Sequence, residues 1–344
     1  MIIDDSLVAR TALRRMVEAA DDLEVVATVG TAENALEVLR DERVDLILLD
    51  LDMPGMGGLE ALPKLIERAR GARILVVSAL TLAGAEHTLE ALSLGATDTL
   101  PKPQGRGFHG SYREVLLGKI RDLGSAATDA PEAARAGLKP AIPARGLSRK
   151  LPGVLAIGAS TGGVHALAQL FAGLPRRLGI PILVTQHLPS AFMPHFARQL
   201  TAASGYETLL AAEGMPIEPD KIVIAPGDAH LTVGKQAGRL VVRLDCNPAV
   251  SGCLPSVDPM FASLAAEIGD RVLGVVLTGM GRDGAQGAAR VVAAGGSVLA
   301  QDEASSAVWG MPRAVVEAGL ASAVLPPSEL ADLIGSRLGL AACR

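Results

Sequence analysis

Gly158-Ala-Ser-Thr-Gly162 fits the G-x-S-x-G spacing of a nucleophile elbow, in which glycines permit a tight strand-to-helix turn that pushes a serine hydroxyl outward. Glycine and serine are common in any turn, so the weight comes from context. An apolar, strand-like run precedes Ser160 and a helix-like segment follows it, and the amides at Thr161 and Gly162 can face a developing oxyanion. An unassisted hydroxyl is a poor nucleophile near neutral pH, so Ser160 needs a base. Four histidines lie in the same half of the chain. His165 and His195 fall in helix-like segments and read as surface or core side chains. His187 directly follows the apolar run "GIPILVTQ", and His230, a lesser rival, follows "KIVIAPGDA". A third group should orient the imidazole and stabilise its protonated form. Asp283 fits, in the glycine-rich loop that empties "VLGVVLTGMGRDG". Ser160, His187 and Asp283 then stand after three separate apolar runs, in an order that differs from the Ser, Asp, His order of α/β-hydrolases. A standard α/β-hydrolase fold is therefore not expected, although the chemistry can be the same.

A second set is acidic. Asp4 and Asp5 follow "MII", Asp50 closes "VDLILLD", Ser78 lies near the end of "ILVVSA" and Lys102 follows "TDTLP". In doubly wound sheets ligands sit outside the carboxyl ends of the strands, where these residues fall. Crowded carboxylates repel one another, and a hard divalent cation such as Mg²⁺ relieves them. Asp50 beside that cation can attack a phosphoryl donor while Lys102 and Ser78 contact the transferred group. Singly, each acid reads equally well as a turn former or helix cap.

Taken together and in this order, "DDS", "LLDLDMPGMGG", "VVSA" and "LPKP" resemble the receiver domain of bacterial response regulators. The resemblance implies that a histidine kinase phosphorylates Asp50. It also implies that Asp5 and Asp50 bind Mg²⁺ with help from Asp4, and that the Lys102-Pro103 bond is cis. Two features depart from the pattern. Receivers usually carry several more residues before the acidic pair, so "MII" leaves a short first strand in a normally central position; either the start lies upstream or the receiver is weakened by lost burial and exposed sheet edges. Thr99 also stands where an aromatic switch residue is common.

The elements that must position these groups alternate along the chain. Strand-like runs at 23–30, 44–50 and 72–79 separate amphipathic segments at 6–20, 32–42, 58–70, 83–95 and 111–123, with Leu13, Met16 and Val17 at helical spacing. This predicts a doubly wound parallel sheet of five βα units over residues 1–124. A Pro, Ala, Gly and Ser-rich linker covers 125–150. A second α/β domain with a mainly parallel sheet fills 151–344, with strands near 154–159, 179–185, 221–225, 272–278 and 297–300 and helices near 164–173, 194–203, 259–267, 285–294 and 327–336.

Composition narrows the classes. At 344 residues the chain exceeds what one core usually supports, and 49% apolar with 2% aromatic residues means cores of Val, Leu, Ile and Ala. A net charge of −5 without a Lys/Arg block argues against a nucleic-acid partner. The three cysteines form no C-x-x-C pair, which points to unpaired thiols in a reducing compartment. No apolar run spans a bilayer, so neither membrane insertion nor a secretory leader is expected and the location reads as cytoplasmic.

The blocks "AIGASTGG", "TQHLPSAF", "IAPGDAHL", "PSVDPMF", "LTGMGRDGAQG" and "SSAVWGMP" resemble the CheB-type chemotaxis methylesterases, which also carry an N-terminal receiver. The resemblance implies a Ser160, His187 and Asp283 triad, with backbone amides near Thr161 and Met280 polarising the ester carbonyl and no metal in that domain. It implies hydrolysis of glutamate methyl esters on chemoreceptors with release of methanol, and deamidation of receptor glutamines. It further implies that an unphosphorylated receiver covers the esterase cleft. Asp228 and His230 read as loop anchors, Trp309 as packing with its indole N–H bonded, and Met311 with Pro312 as structural. The alternatives are a kinase-coupled binding module without hydrolase activity, and a constitutive hydrolase whose receiver no longer folds.

Overall fold

The computed structural model describes residues 1–78, 82–102, 110–128 and 145–340. Two compact units divide the chain, Met1–Arg135 and Ala136–Arg344.

In the first unit the elements are β1 (Ile2–Ile3), α1 (Leu7–Glu18), β2 (Thr28–Val29), α2 (Ala32–Asp41), β3 (Leu46–Leu49), α3 (Gly57–Arg68), β4 (Arg73–Ser78), α4 (Leu82–Ser93), β5 (Asp98–Pro101) and α5 (Gly110–Thr128). Ser6 starts α1 because its hydroxyl accepts from Ala9 N at 3.3 Å, and Thr31 does the same for α2 through Asn34 N at 3.3 Å. The α1 stripe of Ala9, Leu13, Met16 and Val17 is buried as its spacing predicts. The strands pair in parallel in the order β2-β1-β3-β4-β5, the doubly wound arrangement expected from the alternation.

One strand is shorter than its sequence suggests. The run 23–30 contributes only Thr28 and Val29, because β1 offers it Ile2 and Ile3 alone as partners. A strand exists only where a neighbour satisfies its N–H and C=O groups, so the apolar character of Leu23, Val25 and Val26 has no ladder to join. The Met1 amine instead donates to Leu46 O at 2.8 Å, and burial pushes this amine down to about 6. Helix α5 continues to Thr128, four residues past Gly124, where the change in composition suggests an end. The Lys102-Pro103 bond and the middle of the linker lie outside the described residues; Leu254-Pro255 is a cis bond among them.

The second unit contains β6 (Val154–Ala159), α6 (Gly163–Gly173), β7 (Ile182–Gln186), α7 (Met193–Ser204), β8 (Glu207–Leu210), β9 (Lys221–Ile224), β10 (His230–Gln236), β11 (Arg239–Asp245), α8 (Val257–Ile268), β12 (Val272–Val276), α9 (Ala285–Ala293), β13 (Ser297–Gln301), α10 (Met311–Glu317), β14 (Ala321–Leu325) and α11 (Pro327–Arg337). Seven strands pair in parallel in the order β14-β13-β12-β6-β7-β9-β8. β6, β7, β12 and β13 are buried along their whole length, which is why they read as continuous apolar runs rather than alternating ones. β10 and β11 form a separate antiparallel hairpin, and its Leu231, Val233 and Val242 join Met260, Phe261 and Leu264 of α8 in one core. Among the described residues no helix is long and apolar enough to cross a membrane.

Candidate active site

Each sheet reverses its strand order beside its first strand, and the sequence-predicted groups collect there. In the first unit, Asp4 follows β1, Asp50 follows β3, Ser78 ends β4 and Lys102 follows β5. Backbone bonds fix the acids in place: Asp4 N donates to Val29 O at 3.2 Å and Asp50 N to Ile3 O at 2.8 Å. Asp4 is 1% exposed and Asp50 2%, whereas Asp5 faces solvent. The Lys102 ammonium lies 2.6 Å from Asp50 Oδ2 and 2.9 Å from Asp4 Oδ2. The second contact is ionic without hydrogen-bond alignment, and Asp4 Oδ2 is a buried oxygen with no hydrogen-bond partner. Burial raises the Asp50 carboxyl above its usual range, against the opposing pull of Lys102. Burial also opposes the Lys102 charge, but its hydrogen bond to Asp50 and the adjacent Asp4 carboxylate outweigh it and raise the ammonium. Carboxylate oxygens of Asp4, Asp5 and Asp50 lie within 4.8 Å of one another. Three convergent carboxylate oxygens, beside a buried Asp4 oxygen that no hydrogen bond satisfies, are a donor set that fits a hard divalent cation. The Ser78 hydroxyl shares a 2.6 Å hydrogen bond with Thr88.

The first α-helical turn after Asp50 depends on one glycine. A Cβ at Gly58 would stand 2.1 Å from Asp50 O and 2.7 Å from Leu51 Cα. Only glycine lets α3 start this close to the acid.

In the second unit, Ser160 follows β6, His187 follows β7 and Asp283 lies in the loop after β12, so three adjacent strands deliver them to one edge. Ser160 N donates to Thr278 O at 3.0 Å, and Ser160 O accepts from Gly163 N at 2.7 Å and from Gln186 Nε2 at 2.8 Å. The turn passes through Gly162 at φ +75°, a left-handed conformation that glycine adopts without strain, as the elbow spacing predicts. His187 N is tied to Ala159 O at 3.1 Å, which brings it alongside the serine. Its Nε2 lies 2.7 Å from Asp283 Oδ2. Asp283, 1% exposed, also accepts from Ser256 Oγ at 2.6 Å and Val257 N at 2.7 Å.

These contacts set the charges. Burial disfavours a charged imidazole, yet the bond to Asp283 and the nearby Cys253 outweigh it and raise His187 to about 9. Burial would likewise raise Asp283, but His187, Ser256 and Val257 N hold its carboxyl well below the usual range. With Nε2–H donated to a carboxylate, Nδ1 is the nitrogen left to act as a base. The structure thus joins His187 to Asp283 directly. Among the described residues no hydrogen bond links the Ser160 hydroxyl to the ring, a bond that in free enzymes often tightens only with substrate. The Met280 amide has no backbone partner among the described residues. The buried Thr161 accepts at its carbonyl from Thr278 Oγ1 at 2.9 Å.

The remaining histidines take other parts. His165 contacts Gln169 and His195 contacts Arg198 on helix surfaces. His230 is buried at the head of β10, where Nε2 bonds Asn247 O at 2.8 Å and Nδ1 accepts from Ser256 N at 2.9 Å. It therefore anchors the loop that carries Ser256 to Asp283. Trp309 donates its indole N–H to Gln301 O at 2.9 Å, and Met311 is buried against Gly279. Sequence reasoning left Gln186, Ser256 and Cys253 without roles. The first two stand inside "TQHLPSAF" and "PSVDPMF", so the blocks were visible although the bonds were not. Cys253 carries no sequence signal of its nearness to His187, because a loop 66 residues downstream closes the gap.

Comparison with known proteins shows the family of each half of the chain. Residues 155–334 match the family model described as CheB methylesterase, and residues 1–107 match that of the response regulator receiver domain. The chain is 45% identical to protein-glutamate methylesterase/protein-glutamine glutaminase 2 of Caulobacter vibrioides, over 98% of each chain. It is 41% identical to the protein-glutamate methylesterase/protein-glutamine glutaminase of Azospirillum brasilense, over 97% of this chain and 91% of that one. Among solved structures, the CheB methylesterase catalytic domain of Thermotoga maritima is 35% identical, with a TM-score of 0.52, covering 53% of this chain and 97% of that one.

Proposed function

The chain belongs to the CheB methylesterase family with a receiver domain in front of the catalytic one, and from that premise we propose how its residues share the work. The enzyme is a protein-glutamate methylesterase and protein-glutamine glutaminase regulated through its receiver. The observation that carries the assignment of residues is the 2.7 Å His187–Asp283 bond at the strand end beside Ser160.

His187 Nδ1 takes the Ser160 proton as Oγ attacks the ester carbonyl of a methylated glutamate on a chemoreceptor. Asp283 stabilises the imidazolium that forms. Backbone N–H groups at Thr161 and Met280 receive the charge on the carbonyl oxygen. The C–O bond to methoxide then breaks, and His187 returns its proton to release methanol. Water, deprotonated in turn by His187, hydrolyses the acyl-serine and frees the glutamate. A glutamine side chain follows the same course with ammonia as the leaving group.

In the receiver, Asp50 accepts a phosphoryl group from a histidine kinase. Asp4, Asp5 and Asp50 would hold Mg²⁺, which when bound offsets charge on the phosphoryl oxygens. Lys102 Nζ, already between the two buried acids, shifts to a phosphoryl oxygen, and Ser78 leaves Thr88 to contact another. Phosphorylation adds negative charge at a buried edge and relieves restraint of the esterase.

The test is methanol release from a methylated chemoreceptor cytoplasmic fragment, by wild type and by Ser160→Ala, each with and without acetyl phosphate and Mg²⁺. Hydrolysis should vanish in Ser160→Ala and rise with the phosphodonor in wild type. Release that survives Ser160→Ala refutes the triad, and release indifferent to the phosphodonor refutes control through Asp50.

A further inference from the structure

Cys253 is half-buried on the loop between β11 and α8. A thiol, imidazole and carboxylate atom, one each from Cys253, His187 and Asp283, lie within 4.8 Å of one another. The loop is held in place by a relay of bonds: Cys253 N donates to Ser251 Oγ at 3.3 Å, Ser251 Oγ to Ser256 Oγ at 3.2 Å, and Ser256 Oγ to Asp283 at 2.6 Å. A cavity of about 700 Å³, lined in part by Cys253, Met280, Arg282 and Asp283, gives small solutes a way to the cluster.

We propose that Cys253, His187 and Asp283 form an inhibitory site for a thiophilic divalent cation, with zinc as the fitting case. Zinc binds sulfur, imidazole nitrogen and carboxylate oxygen together, and a site with three protein ligands keeps a fourth position for water. Bond lengths of about 2.0–2.3 Å place tetrahedral ligand atoms about 3.5 Å apart. The three atoms already lie within 4.8 Å of one another, and the cluster reaches this spacing by opening the 2.7 Å His187–Asp283 contact while the sulfur adjusts on its half-buried loop. Metal–sulfur, metal–nitrogen and metal–oxygen bonds form, and the thiol proton leaves to solvent together with one imidazolium proton where His187 is charged. If the metal takes Nε2, the remaining ring proton resides on Nδ1; if it takes Nδ1, that nitrogen is blocked directly. Either way Ser160 loses its base. Magnesium, a hard cation, has no preference for this thiolate site and is drawn to the all-carboxylate cluster of the receiver instead.

The inhibitory consequence rests on the reading of His187 as the base; the binding does not, and the experiment separates them. Cobalt(II) is titrated into the full-length protein with Mg²⁺ present in excess, and the thiolate-to-cobalt charge-transfer absorption is recorded. It should appear in wild type and in C246S/C343S, and be absent from C253S, whose thermal unfolding shows that it still folds. In parallel, methanol release is measured with and without micromolar zinc. Wild type and C246S/C343S should be inhibited and recover with chelator. C253S should need a zinc concentration higher by more than the roughly 10–100-fold that losing an outer-shell partner costs. A cobalt band that persists in C253S, or zinc inhibition equal in C253S and wild type, overturns the proposal. A Cys253-dependent band in a protein whose hydrolysis ignores zinc keeps the site and refutes His187 as the base.

Discussion

In the first unit, the buried Asp50 and Asp4 share one ammonium, Lys102, at 2.6 and 2.9 Å. In the second, the buried Asp283 faces an imidazole at 2.7 Å and two donors from the 251–257 loop. Both sites stand where a parallel sheet reverses its strand order, and both hold a carboxylate away from water. They differ in what balances the charge. A lysine whose ammonium is raised further stays charged across the working pH range, so the first site presents fixed charge and suits an incoming phosphoryl group. An imidazole, even one raised to about 9 as His187 is, gives up its proton more readily than a lysine ammonium, so the second site suits proton transfer. The partner of the buried acid, more than the fold around it, decides the chemistry.

The sharpest separation of the two sites is Ser160→Ala. Methanol release should fall by about 10⁴-fold or more, while phosphate incorporation at Asp50 from acetyl phosphate is unchanged. Loss of both would break the comparison, since it would mean that one site depends on the other for its structure.

Asp283→Asn comes next. Its expected cost is roughly 10⁴-fold in kcat, because the amide cannot stabilise the imidazolium and favours the wrong tautomer. It also moves the pH profile. In wild type, His187 raised to about 9 is mostly protonated at pH 7, so kcat/KM should climb with pH and level off near 9. Without the carboxylate, burial opposes the charged ring with only Cys253 left to raise it, and the rise should move to lower pH than in wild type. The linkage to stability runs in opposite directions for the two partners. The raised His187 contributes stability that is complete below its unfolded value and is lost as pH rises through about 9. Asp283, lowered in the folded protein, contributes stability above its unfolded value that is lost on acidification. A profile unchanged in Asp283→Asn would refute the coupling.

Much of this contrast was legible in the sequence. Groups that follow apolar runs had to collect at carboxyl edges of parallel sheets, which fixed the neighbourhoods of Asp4, Asp50 and Lys102 and of Ser160, His187 and Asp283. What escaped depends on contacts between distant segments. The hairpin 230–245 turns at Ala237-Gly238, with φ +48° and +78°, rather than at the Asn-Gly or Asp-Gly that usually marks such turns. Strands β8 and β14 are half-exposed, so neither shows the unbroken apolar run of the central strands. The short β2 was overread for the opposite reason: Val25 and Val26 have strand character but no partner strand.

Lys102→Met tests the fixed-charge side. It leaves two buried carboxylates facing each other, and loss of one partner of a buried pair costs roughly 3–5 kcal/mol. The unfolding transition of the first unit should drop while that of the second stays. Asp50 already lies above the usual carboxylate range because of burial, and without Lys102 it should move higher. A raised acid binds more protons folded than unfolded, so the damage should grow with rising pH and shrink on acidification. Millimolar Mg²⁺ should restore part of the loss, and stimulation of methanol release by acetyl phosphate should disappear. A transition that does not respond to pH or Mg²⁺ would show that Lys102 does not balance these acids.

The finest comparison concerns how each site makes room for its turn. A Cβ on Gly58 would meet Asp50 O at 2.1 Å and Leu51 Cα at 2.7 Å, both backbone. A Cβ on Gly163 would meet Gln186 Oε1 at 2.1 Å and Ala159 Cβ at 2.8 Å. Backbone cannot swing aside, so Gly58→Ala must displace α3 from the acid, and overpacking of this kind costs roughly 1–3 kcal/mol or more. At Gly163 the Gln186 side chain can rotate away at the cost of its 2.8 Å bond to Ser160 O, about 1 kcal/mol, which leaves the 2.8 Å approach to Ala159 Cβ as the milder clash that backbone must relieve. Calorimetry on the full chain should therefore show the larger shift for Gly58→Ala, confined to the first unit. Gly163→Ala should lower kcat through a loosened elbow while phosphorylation of Asp50 continues. If Gly163→Ala proves the more destabilising of the two, Gln186 is as rigid as backbone, and the second site is pre-organised around its serine more tightly than the first is around its aspartate.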